Sequence, residues 1–116
     1  MQKFGLTEEV INNIVDIFKK YEEVESAKIF GSRARGDYRK GSDIDIALFG
    51  DKLTNTINTK IFFDIDDLYL PYMIDLINFN SLGEEDTIRE NILKEGVDIY
   101  VKKLDWKLWN IQKSSF

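Results

Sequence analysis

Ile29-Phe30-Gly31-Ser32-Arg33-Ala34-Arg35-Gly36, then Asp37 to Lys40, then Gly41-Ser42-Asp43-Ile44-Asp45-Ile46-Ala47-Leu48, is the stretch whose reading decides the fold of this 116-residue chain. It leaves one apolar run, crosses a loop rich in glycine and arginine, and enters a second apolar run with two aspartates one residue apart. Apolar runs stopped by Gly and turn residues read as strands over 26–30 and 43–49. A short helical turn over 32–38 would aim its first amides at whatever lies over Gly31-Ser32.

Side chains alternate faces along a strand, so Asp43 and Asp45 point the same way, roughly 6–7 Å apart at the Cα level. Ile44, Ile46 and Leu48 then face the core. Two such carboxylates repel unless a cation or a proton neutralises one of them. Mg²⁺ takes oxygen ligands, typically one or two carboxylates plus phosphate oxygens and water. A pair of these ions assists nucleotidyl transfer and usually needs a third carboxylate. Asp75 is the acid that suits this, alone inside a third apolar run between Ile74 and Leu76. Taken singly, each feature has a plainer reading: a half-exposed strand for Asp43 and Asp45, turn chemistry for Gly31, Ser32 and Gly36, an edge acid for Asp75. Their combination points to a metal–nucleotide site.

Composition narrows the chemistry. There are no cysteines and no histidines. Disulfides, thiolate or imidazole zinc sites, and Ser-His or Cys-His catalysis are excluded. The length implies one domain with a single modest core. No apolar run approaches the ~20 residues that span a bilayer, and no signal-peptide h-region is present. The expected location is cytoplasmic. Net charge is 16 − 21 = −5, a poor basis for direct nucleic acid binding. Yet Lys28, Arg33, Arg35, Arg39 and Lys40 cluster in one loop with a single acid, Asp37. That is a local anion site, not a stripe.

Outward from the loop, the pattern predicts a helix over 7–21 capped by Thr7, with Val10, Ile11, Ile14, Val15, Phe18 and Tyr21 inward. A helix after Thr54 carries Ile57, Ile61, Phe62, Ile65, Leu68 and Tyr69 on one face; Asp64, Asp66 and Asp67 read as its solvated side. A strand follows over 72–79. A helix over 84–95 turns Ile88, Ile92 and Leu93 inward and is capped by Gly96. A last strand covers 97–101. Domain residues 1–103 are then followed by a tail, 104–116, whose Trp106 and Trp109 fit either the chain's own sheet or a partner.

Gly31-Ser32 to Gly36 with Ser42-Asp43-Ile44-Asp45 resembles the signature of the polymerase-beta-like nucleotidyltransferases. The small size, with Leu93-Lys94-Glu95-Gly96-Val97 and Ile99-Tyr100 near the end, is similar to their minimal group. The resemblance implies an α/β (α+β) fold, a small mixed β-sheet flanked by helices, with the site at one sheet edge. It implies transfer of a nucleoside monophosphate from a triphosphate, ATP, with two Mg²⁺ ions. By position, Asp43, Asp45 and Asp75 would be catalytic and hold the metals. Gly31, Ser32, Arg33, Arg35 and Ser42 would hold the nucleotide. It further implies an antitoxin that moves AMP onto a tyrosine of a HEPN ribonuclease toxin, its hetero-oligomeric partner. Transfer to a small-molecule hydroxyl and non-catalytic binding of a partner are the alternatives.

Overall fold

The computed structural model describes residues 2–102. Two short strands, β1 (Gln2–Lys3) and β2 (Leu6–Thr7), pair as a hairpin. Phe4 and Gly5 form its turn, both with positive φ (60° and 70°), the pairing that matches hairpin twist. Helix α1 (Glu8–Phe18) follows at once. The Thr7 side chain accepts from the Val10 amide at 3.2 Å, and Glu8 and Glu9 sit at the positive end of the dipole. The helix stops at Phe18, one turn earlier than its apolar spacing predicts. Tyr21 lies beyond it in a turn, where its hydroxyl donates to the Asp64 carboxylate.

Four longer strands make the main sheet: β3 (Ser26–Phe30), β4 (Ile44–Phe49), β5 (Ile74–Asn78) and β6 (Val97–Val101). Their order is β5-β4-β3-β6. β3 runs antiparallel to β4 and β6, while β4 and β5 are parallel, so the sheet is mixed. The one-turn helix α2 (Ser32–Arg35) sits between β3 and β4. A parallel pair needs a long crossover, supplied by α3 (Asn55–Asp66), whose first turn Thr54 caps. A 3-10 turn at Phe79–Ser81 leads from β5 towards α4 (Thr87–Glu95), capped by Asp86.

The core is on both sheet faces but unequally. Ile44, Ile46 and Leu48 of β4 meet Ile14, Ile17 and Phe18 of α1 and Ile61 and Ile65 of α3. The opposite face holds a smaller cluster of Phe30, Ala47 and Ile92, flanked by Phe49, Ile77, Phe79 and Leu82. The structure departs from the periodic reading at three places, the first of them a consequence of this asymmetry. On α4 only Ile92 is buried, while Ile88 and Leu93 are exposed, because the small second face accepts one row of side chains. Tyr69 falls after the end of α3 and is 88% exposed, with φ +53°. Gly96 ends α4 at φ −64°, without a left-handed cap. Its missing Cβ is used for closeness, since an added carbon would overlap the Ile92 carbonyl oxygen and press on Lys28. The expected boundary at 103/104 and the placement of Trp106 and Trp109 lie outside the described residues.

Among the described residues, no helix is long and apolar enough to cross a membrane.

Candidate active site

Strand register brings two of the three predicted acids together. Asp45 of β4 is the direct Cα partner of Asp75 of β5, and on its other side of Phe30 of β3. Paired residues on adjacent strands share a face, so both carboxylates project from the sheet surface opposite α1 and α3. Asp43 precedes β4 by one residue and is exposed. It is near enough that its charge, with that of Asp75, acts on Asp45. Burial pushes the Asp45 carboxyl up to about 6, and the charges of Asp75 and then Asp43 add to this, against weaker opposition from Arg35 and Arg33.

Gly31 is the hinge of the site. It links the end of β3 to α2 with φ 73° and ψ −152°, a region that is essentially glycine's alone. A Cβ here would overlap Asp45 Oδ2. The backbone of the glycine loop therefore lies directly against the strand carboxylate. In α2, the Arg35 amide donates to Gly31 O at 3.0 Å and the Gly36 amide to Ser32 O at 2.9 Å. The amides ahead of Arg35 have no acceptor within so short a helix.

The two loop arginines do different work. Arg33 is 3% exposed. It donates through Nε and Nη2 to Ser42 O (3.1 and 2.8 Å) and through Nη1 to Phe4 O (2.8 Å). Its guanidinium lies 4.9 Å from the Tyr72 ring centre and 5.2 Å from that of Tyr38. Arg33 thus ties the N-terminal hairpin, the 36–42 loop and the approach to β5 into one block, and holds the carbonyl just before Asp43. This is a structural engagement of the side chain expected to hold nucleotide. Arg35 is exposed and bridges Asp37 (3.2 Å) and Glu95 of α4 (3.1 Å). Ser42 uses its hydroxyl inside the loop, accepting from the Arg39 amide at 2.8 Å. Ser32 stands at the start of α2, beside Gly31.

The β1–β2 hairpin, the stacking on Tyr72 and the Arg35–Glu95 bridge were not anticipated from sequence. Only the Phe4-Gly5 pair carried a local signal, a turn residue before Thr7.

Among the described residues, no three acidic side chains converge closely enough to hold a metal ion by themselves. The donor set nevertheless fits a divalent cation that completes its shell with phosphate oxygens and water. Asp45 and Asp75 are adjacent and of one charge, and Asp45 resists ionising first because it is partly buried and then because of the Asp75 and Asp43 charges. A bound dication removes that penalty.

Comparison with known proteins identifies the family and the fold. Residues 12–105 match the family model for polymerase beta nucleotidyltransferases. A Methanocaldococcus jannaschii protein named "Putative protein adenylyltransferase" is 30% identical over 92 residues, 78% of this chain and 95% of that protein. A chain in a crystal structure of a toxin-antitoxin with AMP-PNP superposes with a TM-score of 0.66 at 20% identity, covering 90% of this chain and 84% of the other. A chain in the structure of tri-AMPylated Shewanella oneidensis HEPN toxin with MNT antitoxin gives 0.62 at 17%, covering 95% and 85%. These two solved structures share the fold.

Proposed function

This chain belongs to the polymerase beta nucleotidyltransferase family, and on that premise we propose that it is a Mg²⁺-dependent protein adenylyltransferase. Its acceptor is a tyrosine hydroxyl of a HEPN toxin, which makes the chain that toxin's antitoxin. The observation that carries the reading is the in-register Asp45–Asp75 pair with the Gly31 backbone packed against Asp45. The name of the M. jannaschii relative and the toxin–antitoxin assemblies that share the fold support the acceptor class.

In this reading the Gly31-Ser32 backbone and hydroxyl hold the triphosphate of ATP. Arg35 exchanges its carboxylate partners for phosphate oxygens, a planar fork suited to either anion. Arg33 and Ser42 position the loop. Asp43, Asp45 and Asp75 would hold two Mg²⁺ ions, which supply charge neutralisation at the triphosphate and at the attacking oxygen. The tyrosine oxygen attacks the α-phosphorus in line, forming a P–O bond. The bond from that phosphorus to the α–β bridging oxygen breaks, and pyrophosphate leaves. Asp75, the more exposed of the in-register pair, accepts the tyrosine proton.

The test uses ATP labelled at the α- or the γ-phosphate, with the protein encoded beside this chain as acceptor. The α-label should appear on that protein and map to tyrosine, while the γ-label should stay in pyrophosphate. Transfer of the γ-label, or no transfer, would refute the reading.

A further inference from the structure

On the other side of the sheet rim from Asp45 lies a cleft of about 350 Å³, whose lining includes Phe62, Asp66, Tyr69, Tyr72 and Met73. This volume suits one large side chain. Of its lining, Tyr69 and Met73 are 88% and 73% exposed, large side chains left open beside one another. The backbone also holds Tyr69 at φ +53°, uncommon for a bulky residue and costly unless its placement serves something.

The charge of the cleft is one-sided. Among the described residues, Asp66 is the sole charged one in its lining. It closes α3, Asp67 caps that helix, and the last turn has no basic residue. Carboxylates at the negative end of a helix dipole are unfavourable, and the chain's own residues in that turn do nothing to balance them. A cation from outside would.

The cleft adjoins the glycine loop from the α3 side of the sheet. Tyr72 lines it and also stacks on Arg33. The Met73 carbonyl accepts from the Ile44 amide at 2.8 Å, one residue from Asp43. A segment seated in the cleft therefore lies beside the strand end that carries Asp43, on the sheet face opposite Asp45 and Asp75.

We infer that this cleft docks the acceptor protein through a basic segment carrying one large apolar or aromatic side chain. That side chain enters between Tyr69, Met73 and Phe62, and a neighbouring Lys or Arg meets Asp66. The inference rests on the protein-acceptor reading above and places the contact that selects the acceptor.

The chain has only two methionines, Met1 and Met73, so methyl-labelled Met73 is a direct reporter. The full-length chain is titrated with a synthetic peptide bearing one Phe among lysines, without tyrosine and without ATP. The Met73 signal should shift and saturate. Replacing the peptide lysines by Glu, or its Phe by Ala, should weaken binding at least tenfold, as should Asp66→Lys. Stabilisation of Asp66→Lys by Mg·ATP should match that of the native chain. No shift, or equal binding of the Glu peptide, overturns the inference. So does a Met73 shift on dilution without peptide, which would mean a second copy. A shift in a Trp106→Ala/Trp109→Ala chain without peptide would mean the chain's own tail. The peptide has no hydroxyl acceptor, so failure of AMP transfer would leave this result standing, and the reverse.

Discussion

Asp45 and Asp75 stand side by side on parallel strands, paired Cα to Cα, and neither has a basic neighbour in the strand register. The fold thus holds two like charges together that sequence separates by thirty residues. Such an arrangement is unfavourable in the empty protein and becomes favourable when a cation arrives.

Asp45→Asn should therefore stabilise the metal-free chain. The gain is of order 1 kcal/mol after allowing for solvent screening, a rise of several degrees in Tm for a domain this size. The same variant should lose nearly all transfer activity. Thermal melts in chelator, beside an activity assay, check both.

The pH dependence has a definite sign. The folded-state carboxyl of Asp45 titrates at about 6, above its ordinary value of 3.8. Between these values the folded chain holds more protons than the unfolded one. This group's contribution is therefore fully present below about pH 4 and is lost as pH rises through 6. The Tm difference between Asp45→Asn and the native chain should be smallest near pH 4 and reach its full size above pH 6. Mg²⁺ affinity should fall as pH drops below 6, because the proton and the ion compete.

Gly31→Ala should be damaging twice over. It forces a non-glycine residue into a glycine-only backbone region, at a cost of about 1–3 kcal/mol, and it overlaps Asp45 Oδ2. Loss of activity should exceed the loss of stability, seen by comparing kcat/KM with the denaturation midpoint.

The two loop arginines should separate cleanly. Arg33→Met leaves the carbonyls of Ser42 and Phe4 without their buried donor and should cost about 2–4 kcal/mol. Arg33→Lys should recover only part, since an ammonium cannot serve both carbonyls with the geometry of a planar fork. Arg35→Ala breaks only exposed bridges to Asp37 and Glu95. It should leave Tm nearly unchanged while raising KM for ATP. Denaturation and steady-state kinetics on the same preparations distinguish the two roles.

These contrasts show what was legible in the sequence. The strand–loop–strand unit and the third acid were readable because period-2 alternation and Gly punctuation are local signals. The pairing of Asp45 with Asp75 was readable only as a requirement of the chemistry, because register is a tertiary property. The role of Arg33 was hidden. A buried arginine and a phosphate-binding arginine look alike in a glycine loop, and the carbonyl of Phe4 comes from a hairpin too short to show periodicity. Ile88 and Leu93 misled because helical spacing marks an apolar face without saying how much surface is there to cover it. Tyr69 continued the spacing of α3 past the helix's end at Asp66.

The most direct test of the account is intact-mass measurement of the acceptor protein after incubation with Mg·ATP and the native chain, Asp45→Asn or Asp75→Asn. The account predicts added AMP with the native chain and essentially none with either variant, although both variants remain folded. Equal AMP addition by a chain lacking either carboxylate would contradict it.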